Sequence, residues 1–164
     1  MPEGAMVDIQ TLVFDFDGVL TDDHVWVNAD GMEFVACNRR DGLAFSAFRR
    51  IGYKVFVVST EKNGCVKARC EKLGVPVFQG VGDKFQQLKS MSTEFDIDLQ
   101  TTLYVGNDLN DLKAMQECGF TACPSDAHPM IQDLAKYKLK TKGGEGVARE
   151  ILESILHYDL LSLE

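Results

Sequence analysis

Ile9-Gln-Thr-Leu-Val-Phe-Asp-Phe-Asp-Gly-Val-Leu-Thr21 sets an apolar run directly against two carboxylates, and its reading decides the fold. Ile9, Leu12, Val13 and Phe14 form the kind of short run that a strand carries when its sheet is covered on both faces. A second run, Leu103-Tyr-Val105, leads in the same way into Gly106-Asn-Asp-Leu-Asn-Asp111. Both acidic clusters then belong at strand carboxyl ends, where open α/β sheets bind their ligands. Crowding carboxylates into one crevice raises their energy through repulsion and desolvation, so the two clusters together point to an oxygen-rich site for magnesium.

The 164 residues, 45% of them hydrophobic and 26% charged, are enough for one domain with a full core. A net charge of -8 argues against nucleic acid or an anionic membrane surface as partner. Five cysteines, Cys37, Cys65, Cys70, Cys118 and Cys123, form no Cys-x-x-Cys pair and read as reduced thiols. The first eight residues lack a charged start followed by an apolar stretch, and no run approaches membrane-spanning length. A cytoplasmic protein is expected.

After the first strand the alternation breaks. His24-Val-Trp-Val27 and Glu33-Phe-Val-Ala-Cys37 flank Asn28-Ala-Asp-Gly31, which predicts a β-hairpin inserted at about 24–37. A helix is predicted from about Gly42 to Arg50, then a central strand over Lys54–Val58 that ends in Ser59-Thr60. Helix two runs to about Leu73, a short strand is centred on Val77, and helix three carries Phe85, Leu88, Met91 and Phe95. Beyond the second acidic cluster come a short helix ending near Gly119 and strands at Phe120–Ala122 and Tyr137–Leu139. Gly143-Gly-Glu-Gly146 reads as a mobile tail before a last helix with apolar columns at Val147, Ile151, Ile155 and Ala148, Leu152, Leu156, the pair spanning about 141–158. The trimmed result is a three-layer α/β domain with a hairpin outgrowth.

A carboxylate nucleophile, a cation and a phosphate clamp are what hydrolysis of a phosphate monoester requires. Residues two apart on extended backbone point the same way, so Asp15 and Asp17 can share a pocket, one attacking phosphorus and the other moving protons. Ser59 can donate to a phosphoryl oxygen, and Lys84 can bring positive charge. Asp108 and Asp111 also fit as caps of a helix N-terminus, and Asp111 can cap whatever the metal does. The apolar Val25, Trp26 and Val27 on an outgrowth suit burial against another subunit.

Asp-Phe-Asp-Gly-Val-Leu-Thr at 15 to 21, Ser59, Gly82-Asp-Lys84 and Gly106-Asn-Asp-Leu-Asn-Asp111 together resemble the haloacid dehalogenase superfamily of phosphotransferases. The hairpin, Arg40-Asp-Gly42, Asp126-Ala-His-Pro129 and Gly143-Gly-Glu-Gly-Val-Ala-Arg149 more narrowly resemble its capless phosphatases of 3-deoxy-octulosonate 8-phosphate and of nonulosonate 9-phosphates. The resemblance implies a Rossmann-like parallel sheet with no cap, and one phosphatase-like domain over 1–164. It further implies a magnesium-dependent sugar-acid phosphatase working through an aspartyl-phosphate. Asp15 is then nucleophile and metal ligand, and Asp17 acid/base and metal ligand. Ser59 and Lys84 bind phosphate, and Asn107, Asp108 and Asp111 complete the metal set. The family's usual tetramer encloses each site with neighbouring hairpins and tails.

Asn107 departs from the family's usual Asp at that position, which removes one formal charge from the metal site. The same Gly-Asn occurs in homologous domains of sialic-acid cytidylyltransferases, some of which only assemble. The alternative reading is therefore a non-catalytic oligomerisation module with a sugar-acid cytidylyltransferase partner. Glu61 and Lys72 resemble the pair seen in nine-carbon enzymes, and Arg40, Arg69 and Arg149 are candidates for the sugar-acid carboxylate. A response-regulator receiver shares acids, Ser/Thr and Lys on an α/β fold, but its phospho-acceptor follows a later strand.

Overall fold

The computed structural model describes residues 8–163. In chain order these form β1 (Thr11–Phe14), β2 (Trp26–Val27), β3 (Glu33–Phe34), α1 (Arg39–Ile51), β4 (Lys54–Val58), α2 (Gly64–Leu73) and β5 (Val77–Phe78). Then follow α3 (Lys84–Glu94), β6 (Thr102–Val105), α4 (Leu112–Glu117), β7 (Phe120–Cys123), α5 (Pro129–Leu134), β8 (Tyr137–Lys138) and α6 (Val147–Glu150). Six strands make one parallel sheet in the order β5-β4-β1-β6-β7-β8, while β2 and β3 pair antiparallel as the expected hairpin.

The apolar strands bury both faces, as a parallel sheet wrapped by helices must. Leu12 and Phe14 pack on the layer of α1, α2 and α6, whereas Val13 joins Phe56, Leu88, Met91 and Met115 on the opposite layer. The sheet grows from β1 in both directions, through β4 on one side and β6 on the other. The crevice at this reversal lies beside the carboxyl ends of β1 and β6, the strands that carry the two acidic clusters.

Two boundaries and one unexpected helix differ from the sequence reading for local reasons. Helix α1 begins at Arg39 because Asn38 caps it, accepting from Arg40 N at 2.9 Å, a turn before the apolar pattern starts. The short helix α5 shows no periodicity and rests on Pro129 in its first turn, with the His128 ring accepting from Met130 N. The last helix keeps α geometry only to Glu150 and widens into a π-helical turn over Ile151–Ile155, so Ile155 and Leu156 are only half-buried.

The Gly-rich tail expected to be mobile is tied down. Gly143 N donates to Asp126 Oδ1 at 3.0 Å, Gly144 N to Val19 O at 3.0 Å, and Asn38 Nδ2 to Gly144 O at 3.2 Å. A Cβ at Gly143 would meet Gly18 O at 2.1 Å, so only glycine lets the tail lie this close to the loop after β1.

Candidate active site

Strand β1 ends by donating Asp15 N to Val105 O at 2.9 Å, which carries its ladder with β6 one residue past the strand. The chain then turns over the buried Phe16 ring and through Gly18 at φ +80. Thr21 Oγ1, fully buried, fastens the turn by accepting from Gly18 N and Asp23 N, each at 3.2 Å. Asp15 and Asp17 consequently line one cavity of about 170 Å³, together with Asp23, Glu61, Asn107 and Asp108. A larger cavity of about 300 Å³ lies at the amino-terminal edge of the sheet, around Ile9, Tyr53 and Lys54, away from both acidic loops.

Behind the cavity is a buried charge cluster. Lys84, in the first turn of α3, places Nζ 2.7 Å from Asp15 Oδ1 and 2.8 Å from Asp111 Oδ1. All three residues are at most 5% exposed. Burial works against the ammonium, but Asp15 and Asp111 outweigh it and raise the Lys84 pKa. Burial, reinforced by Asp111, pushes the Asp15 carboxyl well above its usual range, with Lys84 and the Phe16 N–H at 2.7 Å acting in the opposite direction. Asp17, half-buried and facing Glu61 and Asp23, is pushed up to about 6, with burial the larger cause.

The second acidic loop divides its carboxylates between tasks. Asp111 Oδ1 also accepts from Tyr104 OH at 3.0 Å, and Oδ2 accepts from Asn107 N at 3.0 Å and Asp108 N at 3.3 Å. Both oxygens are occupied by protein donors, and the side chain does not line the cavity. The expected metal ligand is instead geometrically the group that holds Lys84 and the loop. Asp108 faces the cavity while capping the short turn over Leu109–Asp111, its Oδ1 2.7 Å from Leu109 N. Tyr104 was not foreseen, because a tyrosine in an apolar strand reads as core and nothing in its neighbours reveals the buried hydroxyl contact.

Among the described residues no three His, Cys, Asp or Glu side chains converge as a metal cage. A different donor set does converge. The Asn107 amide lies 2.9 Å from Asp15 Oδ2 and 3.0 Å from the Asp17 carbonyl oxygen. With the amide oxygen turned inward, it stands from each of the other two oxygens at the spacing of adjacent ligands around magnesium, about 2.9 Å for Mg–O bonds of about 2.1 Å. Burial and Asp111 raise the Asp15 pKa, and a cation here would act in the opposite direction by favouring its ionised form. The residues present thus fit the ion.

The remaining candidates separate. Ser59, buried at the end of β4, accepts from Glu61 N at 3.1 Å, and the adjacent Thr60 lines the cavity with Glu61. Arg69 donates to Asn38 O at 2.8 Å, Arg149 Nε pairs with Glu153, and Arg40 lines a separate groove with Arg39 and Lys140. None of these arginines reaches the acidic cavity within its own chain. Lys72 is exposed in the last turn of α2, a helix that starts beside Glu61 and runs toward the opposite edge of the sheet. Eight residues of rise, about 12 Å, separate it from the helix start, so Glu61 and Lys72 stand at either side of this helix, as expected.

Two carboxylates two residues apart at the reversal of a parallel sheet, with a buried lysine behind the first, place the site in a phosphohydrolase-like α/β fold. The haloacid dehalogenase-like hydrolase family matches residues 73–151. The chain is 31% identical over 150 residues to the 3-deoxy-D-manno-octulosonate 8-phosphate phosphatase of Escherichia coli K12, covering 91% of this chain and 80% of that one. A Streptomyces avermitilis structure assigned to the HAD hydrolase family superposes with a TM-score of 0.91 at 39% identity, covering 98% and 97% of the two chains. The Moraxella catarrhalis 3-deoxy-D-manno-octulosonate 8-phosphate phosphatase, solved with magnesium, phosphate and KDO, gives 0.87 at 28% identity, covering 97% and 89%. The chain belongs to the haloacid dehalogenase superfamily, in the capless 3-deoxy-octulosonate 8-phosphate phosphatase family, and is a phosphoric monoester hydrolase.

Proposed function

We propose that this chain is a magnesium-dependent phosphatase of a 2-keto-3-deoxy sugar-acid phosphate, acting in the cytoplasm as a single domain over residues 1–164. The observation that carries the reading is the Asp15 carboxylate, buried against Lys84 at 2.7 Å yet open to a cavity that it shares with Asp17. Eight-carbon and nine-carbon substrates are the two candidates. The first is the substrate named for the Escherichia coli relative, and the second is favoured by Glu61 at the cavity rim.

Asp15 attacks phosphorus, forming an O–P bond as the bond to the sugar oxygen breaks, while protonated Asp17 gives its proton to that oxygen. Asp17, now a carboxylate, takes a proton from water as the water oxygen attacks phosphorus, releasing phosphate and restoring Asp15. A carboxyl pKa of about 6 suits both halves, because near neutral pH each protonation state is accessible. Lys84 and the Ser59 hydroxyl serve the phosphoryl oxygens, and Asp111 orients Lys84. Magnesium, held by Asp15, the Asp17 carbonyl and Asn107 with Asp108 nearby, would screen repulsion between the carboxylate and the phosphate dianion.

Among the described residues the cavity is lined by five carboxylates and no Lys or Arg, with Lys84 buried behind them, so charge for the substrate's own carboxylate would come from outside the chain. Arg40, Arg69, Arg149 and Lys72 would contribute only from a neighbouring copy. Val25, Trp26, Val27, Met32 and Phe34, each about half exposed or more, give the hairpin an apolar face for such a neighbour, in keeping with a homotetramer.

The test is phosphate release from 3-deoxy-octulosonate 8-phosphate and from nonulosonate 9-phosphates, with and without magnesium, beside Asp15→Asn. Magnesium-dependent release lost in the variant supports the reading. No release from any substrate by folded protein would favour an assembly module with a sugar-acid cytidylyltransferase partner.

A further inference from the structure

We propose that Asn107 is a two-state positioning residue: its amide nitrogen bridges Asp15 and Asp17 when the site holds no cation, and a half-turn of the amide presents its oxygen when magnesium enters. The inference rests on the metal reading above and concerns what the neutral residue at this position does that a carboxylate cannot.

An amide carries a donor and an acceptor on nearly the same outline, so rotation about its last bond exchanges them with little change in shape. The amide end lies 2.9 Å from Asp15 Oδ2 and 3.0 Å from the Asp17 carbonyl oxygen; with its nitrogen turned there it would donate to both. In the other, the amide oxygen sits at those distances from two further oxygens, which repel it unless a cation lies between them. The donor orientation therefore does part of a cation's work, holding two electron-rich oxygens from different parts of the loop at the spacing that the ion needs.

The surroundings leave rotation as the available movement. The Asn107 backbone is fixed on both sides, its N donating to Asp111 Oδ2 at 3.0 Å and its O accepting from His128 N at 2.8 Å. Gly18 supplies the room beside the side chain: a Cβ there would lie 1.9 Å from the amide. The device is thus built from a pinned loop, a glycine gap and a reversible head group. Aspartate at 107 would offer no donor, and in the metal-free site it would add a further anion beside Asp15, already buried near Asp111.

The consequence is a trade of affinity for order. Magnesium must displace two hydrogen bonds and finds one formal charge fewer, so it binds more weakly than to the carboxylate form. In return the metal-free site stays assembled.

The test uses the full chain, labelled with 15N, in EDTA and through a magnesium titration. The Asn107 side-chain NH2 signals, assigned by their loss in Asn107→Asp, should show one slowly exchanging proton in EDTA that loses protection as magnesium is added. In thermal unfolding, N107D should melt at least about 3 °C below wild type in EDTA and gain more from saturating magnesium. Its magnesium Kd should be tighter by about fivefold or more. Rapidly exchanging Asn107 NH2 protons in the wild-type apo protein would overturn the inference whether or not N107D folds, as would an N107D that melts at or above wild type in EDTA. Those results would leave the phosphatase reading intact. Failure of wild type to bind magnesium at all would overturn both.

Discussion

The loop cluster behind Asp15 and the hairpin at 24–37 invert the usual partition of a folded chain in opposite ways. In the first, two carboxylates and an ammonium are buried; in the second, Trp26 stands 73% exposed on a two-residue strand. The buried cluster is closed within one chain, because Lys84, Tyr104 and backbone N–H groups answer its inner oxygens. The hairpin is more open: Glu33 accepts from Asn63 and Cys65 and its base packs on the core, but Val25, Trp26, Val27, Met32 and Phe34 stay about half exposed or more. The difference teaches that this chain satisfies its buried charges alone but leaves the apolar face of the hairpin uncovered.

The sharpest way to break the first half of this comparison is to remove the nucleophile. Asp15→Asn keeps the shape of the side chain and its hydrogen-bonding reach, so the fold persists while phosphate release drops by about 10⁴-fold or more. Release above a hundredth of wild type in melting-verified protein would reassign the nucleophile.

Removing the counter-charge tests closure directly. Lys84→Met leaves Asp15 and Asp111 buried without their ammonium, which should cost about 3–5 kcal/mol at neutral pH in urea unfolding. The deficit should shrink as pH falls, since protonated carboxyls need no counter-ion. A loss below about 1 kcal/mol at pH 7 would mean that the backbone donors alone carry the cluster.

Asp41 sharpens the contrast from a third position, where a carboxylate is buried and only half answered. Its Oδ1 accepts from Ala148 N at 3.0 Å, its Oδ2 has no hydrogen-bond partner, and burial pushes its pKa up to about 6. An acid whose folded pKa is raised stabilises the fold in its protonated form. That contribution is complete below the unfolded value near 4 and is lost as pH rises through about 6. Between pH 4 and pH 7 wild type should therefore lose up to about 3 kcal/mol relative to Asp41→Asn, whose amide oxygen still accepts from Ala148. Parallel stability profiles for the two proteins would remove the effect.

These regions also mark what could be read in advance. The apolar runs before Asp15 and before Gly106 announced the strands, because a strand buried on both faces leaves a sequence signal that no neighbour needs to complete. The convergence of Asp15, Asp17 and Lys84 was likewise legible, since each stands at or just beyond the carboxyl end of a strand. The split between Asn107 and Asp111 was not, as it depends on which oxygens Tyr104 and the backbone have already taken. Nor was the docking of Gly143 and Gly144 on the loop after β1, because glycines signal freedom in sequence and close approach only in the fold.

The smallest expected effect on the isolated chain comes from the hairpin, and its smallness is the point. A side chain already in water loses little burial on truncation, so Trp26→Ser should change the stability of a dilute, dissociated chain by no more than about 0.5 kcal/mol. The same substitution removes the largest apolar contact available to a neighbouring copy, and large aromatic side chains dominate such interfaces. Sedimentation should therefore shift toward monomer while the melting of the monomer stays put. If the cavity takes its missing cations from that neighbour, KM for the sugar-acid phosphate should rise with dissociation, while Asp15 and Lys84 keep their places. Melting that falls by more than about 1 kcal/mol in the monomer would instead show that the hairpin supports its own chain. An unchanged oligomer would then deny the apolar face its proposed neighbour.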